Sequence, residues 1–204
     1  GISYNQKPLI GVSASQQIHQ YAFANLRSMQ EKYHNYVQLM AHIADYLVEK
    51  LHATVVLIPH VLAPYDDRIV SMKIRQIAKN RHRINVLMRE YAPEELKGVI
   101  GKCEMFIACR MHSSISSTSM LVPTIVISYS HKAHGVIGKM LGQERFIVDI
   151  RKLDSDELLS ELKSKIDLSW KTKNQIREEL ERAISKVRKS AQYNMELSSR
   201  LITK

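Results

Sequence analysis

Short apolar segments alternate with longer amphipathic segments along the whole chain, and this alternation limits the fold more than any other feature. The strand-like segments are 8–15, 53–61, 83–89, 104–110, 123–130 and 145–150. They are rich in β-branched residues and do not alternate polar with apolar side chains, which is typical of parallel strands covered on both faces. We therefore expect an α/β fold, a doubly wound, Rossmann-like parallel sheet of about six strands in the order 3-2-1-4-5-6.

Segments of helical period lie between the strands. Residues 35–51 carry apolar side chains on one helix face, a helix begins near Lys132 and ends at Gly142, and another begins with a capping-box arrangement at Ser155. The last segment is charged and weakly apolar, and it predicts a long polar helix over about 169–201. We therefore expect a Rossmann-like domain at 1–168 and a C-terminal helical arm at 169–204, suited to packing on a partner domain.

Composition narrows the class of protein. A chain of 204 residues that is 45% hydrophobic can bury one domain-sized core, and its net charge of +10 favours anionic partners. The basic residues are dispersed and form no zinc-finger, bZIP or RRM signature, so we expect no nucleic-acid partner. Cys103 and Cys109 lack zinc-ligand spacing, which indicates reduced thiols, a cytoplasmic location and no metal site. Peripheral contact with the inner face of a membrane stays open.

Polar residues follow the fourth strand at the edge where parallel sheets bind ligands. The sequence there is "RMHSS", and a helix starts within it, so Arg110, His112, Ser113 and Ser114 should meet the free N–H groups of that helix. An arginine donates two parallel bonds to a carboxylate or phosphate, and a histidine transfers protons near neutral pH. The structural alternatives are an ion pair for Arg110 and a helix cap for Ser113. No GxGxxG or P-loop motif is present.

The neighbouring loops add weaker candidates for the same edge. The loop "SYSHKAHG" after the fifth strand contains Tyr129, Ser130 and Lys132, and a lysine at a helix start indicates a compensating anion. His60 lies at the carboxyl end of the second strand-like segment. Ser13 lies near the end of the first, with a side chain small enough for phosphate to approach the backbone. A satisfied structural histidine and a solvated lysine are the alternatives. Together these loops predict a site for a small anion.

Several motifs carry a resemblance to a known family. Over 93–138 the chain reads "PEELKGVIGKCEMFIACRMHSSISSTSMLVPTIVISYSHKAHGVIG". This segment resembles the carboxyl-terminal half of polysaccharide pyruvyl transferases, which have an R-[ML]-H element followed by small residues, a P-T before the next strand, and a Y-S-x-K element. "IPH" at 58–60, followed by Asp66 and Asp67, fits the same pattern. The similarity covers about residues 8–150.

The resemblance implies that 1–168 is the donor-binding domain of a glycosyltransferase-B-type fold, with a missing amino-terminal domain. It implies phosphoenolpyruvate as the donor substrate, no cofactor, and a glycan or lipid-linked sugar that accepts pyruvate as a ketal. It also implies that Arg110 and His112 contact the donor. From the chemistry of ketal formation we expect His112 to be the acid–base group and Arg110 to bind the carboxylate or phosphate, so both are catalytic candidates. Many family members have an arginine after the first strand, where this chain has Ala14, Ser15 and Gln16.

Two other functions stay open from the sequence. A nucleotide-sugar glycosyltransferase would use the same edge of the sheet for a diphosphate, but Asp149 lies inside the strand-like "FIVDI" and is poorly placed to hold ribose hydroxyls. A non-catalytic module that binds anions or nucleic acid is motivated by the net charge alone.

Overall fold

The computed structural model describes residues 8–151 and 154–202, so the ends of the two predicted domains at 1–7 and 203–204 lie outside the described residues. Its parallel strands form one sheet in the order β3-β2-β1-β4-β5-β6, which confirms the predicted order and fold class. The strands are β1 (Leu9–Ser13), β2 (Thr54–Leu57), β3 (Ile84–Val86), β4 (Met105–Ala108), β5 (Thr124–Ser128) and β6 (Ile147–Asp149). Each is shorter than the apolar segment that predicted it, because the ends of those segments form the loops at the ligand edge.

Helices cover both faces of the sheet. They are α1 (Met29–Leu51), α2 (Asp67–Ile77), α3 (Pro93–Ile100), α4 (Met111–Ser119), α5 (Ser155–Lys171) and α6 (Lys173–Ile202). Two helix starts differ from the prediction because capping side chains lie elsewhere. Ser28 accepts a hydrogen bond from the backbone N–H of Glu31 and starts α1 at Met29, before residue 35. Asp154, not Ser155, caps α5.

Two clusters of apolar side chains form the core, one on each face of the sheet. Ile10 and Val12 of β1 belong to the larger cluster, together with buried residues of α1, α2, α5 and α6. Leu9 belongs to the smaller cluster, with Phe106 of β4 and Ile100 of α3. Neighbouring residues of a strand face opposite sides of a sheet, so β1 contributes to both clusters. The core therefore fixes the strand ends, and the loops that leave them, from both sides.

The helix after β5 is of the π type rather than the α type that the sequence predicts. It spans His134–Met140 and is followed by Gly142, whose φ of 70° lies in the left-handed region that favours glycine. The predicted stop at Gly142 is confirmed. π-Helices are rare and are found frequently at functional sites. This one follows directly on the loop that contains Lys132.

The two halves of α6 have different surroundings. Ile176 and Leu180 are fully buried in the larger core cluster, and residues 188–199 are all exposed. Ser169, where the predicted arm begins, lies inside α5. The first part of α6 therefore packs on the sheet domain, and the exposed part extends from it. In the described part of the chain, no helix has the length and apolar character needed to cross a membrane.

Candidate functional site

A cavity of about 440 Å³ lies at the carboxyl ends of β4 and β5. Three loops form it: the junction of β4 with α4, the loop after β5, and the loop after β2. The residues that line it are His60, Val61, Cys109, Arg110, Met111, His112, Val126, Ile127, Ser128, Tyr129, Ser130, Lys132 and Ala133. This is the edge of the sheet where the sequence predicts a small-anion site. Six of the nine predicted site residues line the cavity.

Arg110 forms a two-point ion pair with Asp67 at the wall of the cavity. Its Nε donates to Oδ2 at 2.7 Å and its Nη2 donates to Oδ1 at 2.6 Å. The Asp67 side chain is fully buried, whereas the Arg110 side chain is 18% exposed. The structural alternative for Arg110, pairing with an acid, is therefore present in the fold. The pair uses two of the five N–H donors of the guanidinium, and the others stay available to a ligand.

Asp67 also accepts hydrogen bonds from the backbone of two other loops. The N–H of Gln16 donates to its Oδ1 at 2.9 Å, and the N–H groups of His60 and Val61 donate to Oδ2 at 3.3 and 3.0 Å. The carboxylate thus connects the loops that follow β1, β2 and β4. A buried carboxylate needs such partners, since burying an unpaired charge is costly. Asp67 positions Arg110 and His60 relative to each other.

The N-terminus of α4 opens at the cavity without a capping side chain. Its N-cap residue is Arg110, whose side chain makes no capping hydrogen bond, and the first intrahelical bond runs from Ser114 N–H to the Arg110 carbonyl. The N–H groups of the first turn therefore lack intrahelical partners and carry partial positive charge. An anion in the cavity would meet these groups.

The predicted ligand role of the Ser113 and Ser114 hydroxyls needs correction. Both side chains are fully buried and neither lines the cavity. Ser113 donates to the carbonyl of Arg110 and Ser114 donates to the carbonyl of Met111, at 2.8 and 2.7 Å. A serine in a helix satisfies its hydroxyl in this way, on a carbonyl of the preceding turn. The two hydroxyls therefore lie on the buried face of α4, outside the lining of the cavity.

The loop after β5 brings Tyr129, Ser130 and Lys132 to the cavity, as predicted. Ser128 holds this loop: its hydroxyl donates to the Ser130 carbonyl at 2.7 Å and accepts from the Ser130 N–H at 3.2 Å. Tyr129 stacks on Tyr21 from the loop after β1, with ring centroids 4.5 Å apart. Lys132 is exposed at the start of the helical segment and supplies an ammonium group.

Two histidines stand at one side of the cavity. His112 is exposed in the first turn of α4, whereas His60 is largely enclosed. Burial is the main cause that lowers the pKa of His60, and the positive charge of Arg110 acts in the same direction. His60 is therefore uncharged at neutral pH. An uncharged imidazole accepts a proton, and a second imidazole beside it can donate one.

Cys109 lines the cavity but is not suited to act as a nucleophile. Burial raises the pKa of its thiol to about 12, so the reactive thiolate is scarce at neutral pH. The hydroxyl of Tyr36, from α1, donates to Cys109 Sγ at 3.4 Å and accepts from the N–H of Ser15 at 3.0 Å. This buried contact ties the loop after β1 to the end of β4.

Ser13 does not reach the cavity, so its predicted contact with phosphate also needs correction. It is the last residue of β1, fully buried between β2 and β4, and its carbonyl accepts a hydrogen bond from the N–H of Cys109. Ser13 therefore lies at the carboxyl end of β1 but outside the lining of this cavity.

Sequence reasoning missed the role of Asp67. The pattern of two acids before a helix predicted a helix start, and Asp66 does cap α2. The adjacent carboxylate turns inward to Arg110, which is 43 residues away along the chain. The only available signal was the combination of "IPH", the two acids and the R-x-H element. None of these patterns states which acid faces the arginine.

The sheet and the helices that cover it define the chain as an α/β domain with a glycosyltransferase-B-type fold. A Thermobaculum terrenum O-GlcNAc transferase mutant superposes with a TM-score of 0.56 at 14% identity, over 90% of this chain and 32% of that one. The C-terminal CMP-Kdo binding domain of WaaA from Acinetobacter baumannii superposes with a TM-score of 0.54 at 8% identity, over 89% and 91%. At these identities the likeness concerns the fold.

Comparison of the sequence with known families identifies the family of the chain. The family model of the polysaccharide pyruvyl transferases matches residues 8–131, so the chain belongs to that family. Amylovoran biosynthesis protein AmsJ of Erwinia amylovora is 28% identical over 102 residues, which are 50% of this chain and 24% of that protein. The chain thus spans about a quarter of the length of this relative where the two match.

Proposed function

We propose that the chain is the phosphoenolpyruvate-binding part of a pyruvyl transferase that acts on a glycan or lipid-linked sugar. The observation that carries the proposal is the convergence of Lys132, Arg110 and the uncapped N-terminus of α4 on one cavity, with a histidine beside them. Phosphoenolpyruvate carries a carboxylate and a phosphate on three carbons, so it needs two cationic features close together. Membership of the family supports the same donor and a glycan acceptor.

The roles of the residues follow from their chemistry. Lys132 and the first turn of α4 bind one anionic group, and the N–H donors of Arg110 that Asp67 does not use bind the other. His112 transfers a proton to the methylene carbon of the donor. Two hydroxyl oxygens of the acceptor bond to the central carbon, and the bond from that carbon to the phosphate oxygen breaks. One hydroxyl proton is accounted for by the new methyl group and the other by the released phosphate.

Calorimetry with phosphoenolpyruvate tests the donor site. Lys132→Ala should weaken binding about tenfold or more, because a charge-assisted hydrogen bond contributes about 1.5–3 kcal/mol. Lys139→Ala removes an exposed lysine of the π-helix that does not line the cavity, and it should bind like the wild type. Equal affinity of the wild type and the Lys132 variant would refute the donor site.

A thermal-shift series with phosphoenolpyruvate, UDP and GDP separates the proposed donor from a nucleotide. Stabilisation by phosphoenolpyruvate supports the pyruvyl transferase. Stabilisation by a nucleotide alone would instead favour a nucleotide-sugar glycosyltransferase, and it would overturn the proposal.

A further inference from the structure

A second cavity, of about 600 Å³, lies beside the first. The loops after β2 and β3 form it together with the first turns of α3 and α4. His60 and His112 line both cavities. The two spaces are therefore neighbours, and the imidazoles of His60 and His112 form part of the wall of each.

The second cavity differs from the first in its chemistry. Tyr91 lines it, half-buried against the smaller core cluster, with Leu62 and Leu87 nearby on the wall. Arg89 and Glu90 are exposed at its edge. By contrast, the described residues that line the first cavity include Lys132 and no carboxylate residue. The opposite charges of Arg89 and Glu90 offset each other, so the second cavity lacks the excess of positive charge in the first and suits a neutral ligand with hydroxyl groups and an apolar face.

We propose that the second cavity binds the acceptor sugar, with the apolar face of the sugar ring on Tyr91 and its hydroxyl groups on Glu90 and Arg89. A carboxylate accepts hydrogen bonds from two hydroxyls at once, and a cyclic ketal requires two hydroxyls of one sugar. This inference rests on the proposed function, because it assumes that the donor occupies the first cavity. The two reacting groups then meet between His60 and His112.

The hydrogen bonding of His60 supports a role as the base that accepts a proton from a sugar hydroxyl. Its Nδ1 lies 3.2 Å from the carbonyl oxygen of Ile58. A carbonyl only accepts, so Nδ1 carries the proton and Nε2 is the basic nitrogen of the neutral ring. Nε2 takes the proton of the first sugar hydroxyl as its oxygen bonds to the donor's central carbon, while His112 protonates the methylene carbon. The second hydroxyl displaces phosphate and returns a proton to His112, and the proton on His60 leaves with phosphate.

Titration of the ¹⁵N-labelled chain with methyl glycosides of glucose, galactose and mannose tests the acceptor site. At least one glycoside should shift the amide signals of 87–96 and 115–116, whereas phosphoenolpyruvate should shift those of 128–133. Tyr91→Ala and Glu90→Gln should each weaken glycoside binding about tenfold and leave phosphoenolpyruvate affinity unchanged. Lys132→Ala should do the reverse. Glu90 is exposed, so its variant does not depend on packing.

The outcomes separate the two proposals. If phosphoenolpyruvate binds and none of the glycosides shifts 87–96, the acceptor site is wrong and the donor site stands. If a glycoside binds there and phosphoenolpyruvate does not bind, the proposed function fails while a saccharide site remains. A ligand such as UDP that shifts both regions at once would overturn both proposals.

Imidazole ¹⁵N shifts test the role of His60 without turnover. The structure predicts the tautomer protonated at Nδ1, and the bound glycoside should shift the Nε2 signal. A ring protonated at Nε2, or an Nε2 signal that the glycoside leaves unchanged, would rule out His60 as the acceptor of the hydroxyl proton.

Discussion

Asp67 shows how one buried carboxylate organises the ligand edge. It accepts from the guanidinium of Arg110 and from backbone N–H groups of Gln16, His60 and Val61. These partners come from three loops that are far apart in sequence. Because Asp67 is fully buried, removal of its charge leaves the guanidinium without its partner.

Asp67→Asn should destabilise the chain by about 3–5 kcal/mol, the usual cost of breaking a buried ion pair. For a chain of this size the melting temperature should fall by about 10 °C. Asp66→Asn is the matched control, because Asp66 is a helix N-cap that pairs with Arg68 at the surface, and Asn caps a helix as well as Asp. A similar small shift for both variants, measured by thermal unfolding, would contradict the role given to Asp67.

At the residue scale, the sequence predicted well which side chains reach the ligand edge. It predicted less well which groups those side chains contact. Arg110, His112 and Lys132 all line the cavity, because the ends of parallel strands are predictable from apolar runs. The partner of Arg110 was not predictable, since it depends on where α2 begins relative to β4. The hydroxyls of Ser113 and Ser114 could contact a ligand or donate to backbone carbonyls of their own helix. The sequence does not distinguish these two roles, and in the structure the buried hydroxyls donate to carbonyls.

At the scale of elements, small residues allow close packing around the site. Gly11 of β1 lies against the ring of Phe106 in β4, and an added Cβ would stand 2.5 Å from that ring. On α4 the buried face consists of Ser113, Ser114, Ser117 and Thr118. Small side chains let this helix approach the sheet, and its N-terminus then stands at the cavity. The run of hydroxyl residues is thus explained by packing.

Gly11→Ala should destabilise the fold by about 1–3 kcal/mol, because overpacking displaces the Phe106 ring or the strand. Gly98→Ala is the matched control within α3, where an added Cβ meets nothing within 4 Å. It should stabilise the chain by up to about 1 kcal/mol, since alanine favours a helix more than glycine does. Denaturant unfolding measures both changes. An unchanged free energy of unfolding for Gly11→Ala would contradict the prediction that close packing against Phe106 limits this position.

At the scale of the whole molecule, the handedness of β–α–β connections made the sheet order predictable from six apolar segments. It was less predictable which part of α6 packs on the sheet domain, because the sequence of a charged amphipathic helix does not show where its contact with the core ends. Ile176 and Leu180 join the core, and Glu104, the residue before β4, pairs with Lys173 and Arg177. Tyr193, Met195 and Leu197 are exposed farther along the helix.

A crystal structure of the chain with phosphoenolpyruvate tests the central claim most directly. The account predicts that the ligand lies in the cavity at the carboxyl ends of β4 and β5, with an anionic oxygen about 3 Å from Lys132 Nζ or from an N–H of the first turn of α4. Ligand bound elsewhere on the chain, with this cavity empty at a saturating concentration, would contradict the account.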